Sequence, residues 1–136
     1  MIVDTAMLDY TYDLLIPANA LQSNPASDEV RLGKGKLEKI YIGFEEGCGF
    51  MANVCIEYRG FQFAPIIPNQ SYHFDGNTIQ VDCEQDLLYE PFAITVKGWS
   101  PGTKYQHTIH FVFGVSPTED NDALVTLANL LAVRHA

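Results

Sequence analysis

The chain contains 136 residues with a mass of 15.2 kDa, the size of one compact domain. Hydrophobic residues make up 47% of the chain and charged residues 18%, so it can bury a sizeable core and is unlike a disordered sequence. Seventeen Asp and Glu residues against eight Lys and Arg give a net charge of −9, the wrong sign for neutralising phosphates. Neither nucleic acid nor an anionic membrane surface is expected as a partner.

The sequence predicts neither a membrane span nor an export signal. Its longest apolar run covers residues 123–133, is interrupted by Thr126 and Asn129, and is shorter than the roughly 20 residues a span needs. The first nine residues contain acids and lack the basic cluster of a secretory signal. We therefore expect the protein to be made in a cytoplasm, where Cys48, Cys55 and Cys83 stay reduced.

Alternation of apolar and polar residues predicts eight strands. In the first, residues 8–16, one face carries Leu8, Tyr10, Tyr12, Leu14 and Ile16. The other strands are expected at residues 30–32, 37–44, 51–58, 61–63, 78–83, 92–97 and 105–115. The last of these is expected to be the longest.

Glycine, proline and polar residues mark the connections between these strands. We expect residues 22–28 to form a surface loop, residues 65–76 an ordered loop, and residues 98–103 a turn. The glycine-rich stretch 45–49 is typical of a hairpin connection. Strands 37–44 and 51–58 are therefore expected to pair antiparallel.

The last part of the chain is the one predicted helix. Thr118 or Asp120 can cap it, and acids in its first turn suit the positive end of the helix dipole. Leu124, Leu127 and Leu131 then fall on one apolar stripe. We expect residues 118–136 to form a short helix packed on the strands or on a neighbouring subunit.

These elements predict an all-β fold, an eight-stranded antiparallel β-sandwich of the jelly-roll kind, with a short C-terminal α-helix. The sandwich domain is expected over residues 1–117, including an N-terminal arm. An immunoglobulin-type sandwich is the structural alternative, although Trp99 follows all three cysteines instead of standing between two of them.

A metal site of the cupin kind requires a His-x-His pair, which the sequence lacks. His107 and His110 are three residues apart on a predicted strand, so they point to opposite faces and do not chelate one ion as a local pair. We expect no metal and no other cofactor, and a small cupin-like metalloenzyme is the least favoured function.

No pattern for catalysis stands out. There is no Gly-x-Ser-x-Gly elbow and no phosphate-binding glycine loop followed by lysine and a helix. Among seventeen acidic residues, some pair always suits a glycosidase, so their presence in loops selects no site. The sequence therefore favours a protein that is not an enzyme.

Aromatic residues in the predicted loops and strand ends suggest a binding surface. Tyr72, Phe74 and Trp99 are predicted to form an exposed aromatic platform, which would suit either a protein contact or sugar stacking. A carbohydrate-binding or lectin-like β-sandwich module is therefore the alternative function.

Several short motifs follow one another in a characteristic order. They are Ile16-Pro-Ala-Asn19, Leu32-x-x-Gly35-x-Leu-x-x-Ile40, Phe44 before a glycine-rich turn, Glu57-Tyr-Arg-Gly-Phe-Gln62, Pro91-Phe-x-Ile-x-Val96 and Tyr105-x-His107-x-Ile-x-Phe111. In this order, over residues 8–115, the chain resembles the small jelly-roll virion proteins of tailed bacteriophages, the capsid auxiliary or decoration proteins. The predicted C-terminal helix lies outside the resemblance.

The resemblance implies a capsid decoration, or cement, protein that is made in the host cytoplasm and resides in the virion. It implies a homo-oligomer, commonly a trimer, bound to the major capsid protein or to another virion protein. From the apolar residues at the two ends we expect the assembly contacts to include Met1, Ile2, Val3, Leu124, Leu127 and Leu131.

Overall fold

The computed structural model describes residues 7–118, which form a sandwich of two four-stranded antiparallel sheets. The strands are β1 (Leu8–Ile16), β2 (Ala26–Arg31), β3 (Gly35–Phe44), β4 (Asn53–Tyr58), β5 (Phe61–Ala64), β6 (Thr78–Leu87), β7 (Ala93–Trp99) and β8 (His107–Pro117). The predicted eight-stranded antiparallel β-sandwich is thereby confirmed. Residues 1–6 and 119–136 lie outside the described part, and with them almost all of the predicted helix and all six predicted assembly contacts, Met1, Ile2, Val3, Leu124, Leu127 and Leu131.

The strand pairing is nested along the chain. The first strand pairs with the last, β2 with β7, β3 with β6, and β4 with β5, all antiparallel. This long ribbon folds over so that β3 also pairs with β8, and β4 with β7. The sheets then read β1-β8-β3-β6 and β2-β7-β4-β5. That order differs from the immunoglobulin-type alternative, in which the first two strands are neighbours.

The predicted pairing of strand 37–44 with strand 51–58 is wrong. Both edges of β3 are occupied, by β6 and by β8, so the chain crosses to the other sheet between Phe44 and Asn53. Residues 45–49 therefore connect one sheet to the other and do not form a hairpin. Arg59 and Gly60, in contrast, form a two-residue turn between β4 and β5, with φ angles of 51° and 84°.

The loop predicted over residues 22–28 ends earlier than expected. Its last three residues, Ala26 to Asp28, belong to β2, which pairs with β7 alone and is an edge strand. The outward side chains of β2, Ser27, Glu29 and Arg31, are exposed and polar. This composition hides the strand in the sequence, because an edge strand with one wet face needs few apolar residues.

The core lies between the sheets and is formed by the inward side chains that the alternation predicted. Those on the central strands are fully buried: Leu37, Ile40 and Ile42 of β3, Val54 and Ile56 of β4, Ile94 and Val96 of β7, and Ile109, Phe111, Phe113 and Val115 of β8. On β6, the inward Ile79, Val81 and Cys83 are only half-buried. The sandwich is therefore less tightly closed on that side.

No described element is a helix long and apolar enough to cross a membrane.

Two glycines of β3 differ in how much space surrounds them, and one of them lies against the backbone of β8. A Cβ on Gly35 would lie 2.2 Å from the Ser116 carbonyl oxygen and 2.9 Å from Pro117 Cα, both backbone atoms. A Cβ on Gly43 would meet nothing closer than 3.4 Å. We expect Gly35→Ala to lower the free energy of unfolding by about 1–3 kcal/mol, as overpacking does, and Gly43→Ala to change it much less. Urea unfolding of both variants measures this, and equal effects would contradict the described packing.

Candidate interaction surface

The predicted exposed platform of Tyr72, Phe74 and Trp99 is not formed. Trp99 ends β7 and is 7% exposed, so it is buried. Tyr72 and Phe74 are half-buried against the core, Tyr72 through a backbone bridge to Val54 and Phe74 with its ring edge on Phe44 at 5.8 Å between centroids. The three rings therefore do not form one exposed platform, and Trp99 is not available to a sugar.

A hydrogen-bond network joins the predicted turn at residues 98–103 to the loop after β1. Ser100 is buried, and its backbone N–H donates to the Ala20 carbonyl and its hydroxyl to the Pro17 carbonyl. Gly102 N–H donates to Asn19 Oδ1 at 2.7 Å, and Asn19 N–H donates to Thr103 Oγ1 at 2.9 Å. The loop after β1 is thus fixed to the chain after β7, and Trp99 lies beside this joint and not at an open surface.

The two histidines of β8 lie on opposite faces, as predicted. His107 is half-buried, whereas His110 lies on the outer face of the β1-β8-β3-β6 sheet with its side chain 51% exposed. Within residues 7–118, no group of three His, Cys, Asp or Glu side chains is placed to hold a metal ion.

His110 bridges two carboxylates, an arrangement that the sequence analysis missed. Its Nδ1 lies 2.8 Å from Asp13 Oδ1, and its Nε2 lies 3.1 Å from Glu45 Oε1. Asp13 stands directly opposite His110 in the β1–β8 register, and Glu45 immediately follows β3. The hydrogen bond to Asp13 is the main cause that raises the pKa of His110, and Glu45 adds to it. These contacts depend on strand pairing and register, which the sequence did not reveal.

All three cysteines are free, as predicted, and none is placed as a nucleophile. Cys55 is buried, and Cys83 donates its thiol to the Leu37 carbonyl at 3.3 Å. Burial raises the pKa of Cys55 and of Cys83 to about 11, and it also raises the pKa of Cys48. Since the thiolate is the reactive form, these thiols are poor nucleophiles at neutral pH.

We call the half-buried side of the sandwich, between the β5 and β6 edges, the open side. A cleft of about 470 Å³ lies there. Its lining combines the apolar Phe63, Ile66, Tyr72 and Val81 with Asp82, Cys83, Glu84 and Gln85 of β6. On the outer surface of β6, a hollow of about 540 Å³ is lined by Glu38, Lys39, Asp82, Cys83 and Glu84. The two concavities flank the same stretch of β6.

Several large apolar side chains on or next to the open side remain exposed to solvent. Phe61 and Ile66 are each 78% exposed, and Ile67 is 62% exposed. Leu88 and Tyr89 follow β6 and are exposed too. The Arg59 guanidinium donates to the carbonyls of Tyr89 and Glu90 at 3.1 and 3.2 Å, and so joins the β4–β5 turn to the chain after β6.

The loop that carries Ile66 and Ile67 is held in place by one side chain. The Gln62 amide Nε2 lies within hydrogen-bonding distance of three backbone carbonyls, those of Pro65 (2.7 Å), Ile67 (3.0 Å) and Gln70 (2.9 Å). Such a clamp fixes the loop before any partner arrives. The exposure of the two isoleucines is therefore built into the folded chain.

No protein-family model matches the chain, and no curated protein matches it. Among solved structures it is similar to Bacillus endospore appendages, a family of disulfide-linked pili, with a TM-score of 0.43 and 8% identity over 83% of this chain and 90% of that one. It is similar to the Yersinia pseudotuberculosis-derived mitogen, with a TM-score of 0.38 and 14% identity over 85% and 93%. It is also similar to the tobacco streak virus coat protein, with a TM-score of 0.39 and 11% identity over 88% and 92%. Likenesses at this level assign neither a family nor a function.

The His110 cluster predicts a pH-dependent contribution to stability. A histidine whose pKa is raised by folding stabilises the folded state below the pKa of the unfolded chain and loses that contribution as pH rises through its folded pKa. We therefore expect His110→Gln to destabilise the protein more at about pH 6 than at about pH 8.5. Urea unfolding at both pH values measures the difference. The matched variant is His73→Gln, at an exposed histidine that hydrogen-bonds to no described carboxylate, and an equal pH dependence in both would contradict the assignment.

The raised thiol pKa values predict slow alkylation. At about pH 7.5 we expect Cys55 and Cys83 of the folded protein to react with iodoacetamide at least about tenfold more slowly than in urea, since an unfolded thiol titrates near pH 8.5. Mass spectrometry of timed samples gives both rates. Rapid labelling of Cys83 in the folded chain would show that its thiol is not held against Leu37.

Proposed function

We propose that the protein is a structural, non-enzymatic component that acts through protein–protein assembly. The observation that carries this proposal is the group of exposed apolar side chains next to the open side, above all Phe61, Ile66 and Ile67. Soluble monomers rarely expose large apolar patches, and those that exist mark interaction sites. Because Gln62 fixes the loop, little conformational entropy is lost when a partner binds there.

We further propose that the assembly to which the protein belongs is a virion. The nested strand order is that of a jelly roll, a fold that capsid proteins use, and the motif order over residues 8–115 resembles that of phage decoration proteins. In this role the protein is made in a host cytoplasm and forms a homo-oligomer, a trimer. It then binds the major capsid protein or another virion protein, with Met1, Ile2, Val3, Leu124, Leu127 and Leu131 as additional contacts.

The carbohydrate-binding alternative has no specific observation in its favour, because Trp99 is buried and Tyr72 and Phe74 pack on the core. A sugar-binding platform depends on exposed ring faces. We therefore do not retain it as a second proposal.

Light scattering behind a sizing column tests the assembly. We expect a molar mass three times that of the chain, independent of concentration, and a weakened oligomer in the double variant Ile66→Ser/Ile67→Ser, whose dissociation constant rises at least about tenfold, or about 1.4 kcal/mol. The matched variant is Leu15→Ser, which removes an apolar side chain that is 49% exposed on the far edge strand, β1, and is expected to leave the oligomer intact. A monomer at every concentration would contradict self-assembly.

The terminal contacts have their own test. We expect Leu124→Ser/Leu127→Ser/Leu131→Ser to lower the molar mass of the oligomer, because these residues share the apolar stripe predicted for residues 118–136. Thr126→Ser/Asn129→Ser, at polar positions of the same segment, is the control. An oligomer that neither variant changes would remove the segment from the interface.

A further inference from the structure

We infer that the β6 edge is a docking site for an extended segment of a partner protein in which apolar residues alternate with Lys or Arg. The segment adds to the sheet as a fifth strand beside β6. This inference deepens the proposed assembly function, on which it rests, by naming the chemistry of one partner.

The first observation is the edge itself. β6 spans Thr78–Leu87, ten residues, and pairs with β3 on one side. Among residues 7–118, no strand pairs with its other side. Such an edge presents backbone N–H and C=O groups to any strand that approaches, and strand addition is a common mode of peptide recognition.

The second observation is that both faces of this edge offer space to an added strand. Successive side chains of a strand point to opposite faces. Opposite residues 81–85, one set would enter the cleft on the side of Phe63, Ile66 and Tyr72. The other set would lie over the outer hollow at Asp82 and Glu84, which also border the cleft. The half-burial of Val81 and Cys83 shows that the described residues cover the inner face only in part.

The third observation is charge, which selects the partner. Asp82, Glu84 and Asp86 alternate along the outer face of β6, and all three are exposed. Lys39 and Lys36 stand opposite Asp82 and Asp86 in the β3–β6 register, but no described ion pair joins them. The Gln80 amide donates to Asp82 Oδ1 at 2.9 Å, and Glu38 accepts from Ser116. On this surface the carboxylates, Asp82, Glu84, Asp86 and Glu38, outnumber the two lysines. This excess of negative charge favours a basic partner.

The same charges disfavour β6 of a second copy of this chain as the added strand. If two β6 strands paired antiparallel about Cys83, Asp82 of each copy would stand opposite Glu84 of the other, and like charges across a strand pair are destabilising. The chain's own outer segments, residues 1–6 and 119–136, carry Arg134 as their single Lys or Arg against four acids, Asp4, Glu119, Asp120 and Asp122. A separate basic segment complements the edge better than either.

The experiment uses the full chain and a labelled synthetic heptapeptide, Lys-Val-Arg-Val-Lys-Val-Arg, with binding measured by fluorescence anisotropy. We expect the peptide to bind, and Asp82→Lys/Glu84→Lys to weaken binding at least about tenfold. Asp9→Lys/Glu29→Lys, with the same change in net charge on the edge strands β1 and β2, should alter binding less than about twofold. A peptide with Glu at the basic positions should bind the Asp82→Lys/Glu84→Lys protein and not the parent.

Backbone methylation separates strand addition from simple charge attraction. Two further peptides carry N-methyl groups on the odd or on the even amides, and an added strand uses the donors of one edge only. We expect one methylated peptide to lose binding and the other to retain it. No binding to the parent, equal loss in both charge variants, or equal behaviour of the two methylated peptides would each overturn the inference.

These outcomes are distinct from failure of the proposed function. An intact oligomer that ignores the peptide overturns the docking site alone. A monomer that binds the peptide with the expected selectivity overturns self-assembly and leaves the docking site standing.

Discussion

The position of β8 is the constraint on which the rest of the structure depends. It lies between β1 and β3, so the last described strand holds the first strand in its sheet. Its inward residues Ile109, Phe111, Phe113 and Val115 are all fully buried in the core. Close packing along it is what requires a glycine at position 35 and what brings Asp13 to His110. Without β8, β1 would have no partner in its sheet.

The sequence predicted the strands and their faces well, because the two-residue period shows which side chains point inward. Leu14, Ile40, Ile42 and Val54 lie where that alternation places them. The period does not show which strand lies next to which, so the pairing of β3 with β6 and β8 was missed, and with it the contact between His110 and Glu45. Neighbours in a nested ribbon are far apart in sequence, and no local pattern identifies them.

The errors at the surface have a similar physical basis. Trp99 follows Gly98 at a strand end, and its burial depends on the loops that hydrogen-bond around Ser100. Ile66 and Ile67 are apolar, and in a sequence such residues are read as core, yet the Gln62 clamp holds them outward. In both cases the chain is held by hydrogen bonds that the pattern of apolar residues does not show.

The open side arises from a mismatch in strand length. β5 has four residues and stands across the sandwich from β6, which has ten. A strand of four residues spans about 13 Å and does not cover the inner face of one that spans about 33 Å. The irregular chain after β5 covers part of the remainder with Tyr72, and the rest forms the cleft.

The nested pairing also sets the loop-closure entropy that each strand pair costs when it forms. Closing a loop costs more entropy as the separation of its ends grows. The β4–β5 turn at Arg59 and Gly60 brings together residues that are close in sequence, whereas Leu8 and Val115 join nearly the whole described chain. Pairing of β4 with β5 therefore has the smallest entropic cost, and pairing of β1 with β8 has the largest. On a ribosome, β1 emerges before the other seven strands, and β8, its one partner in the described sheet, emerges after them all.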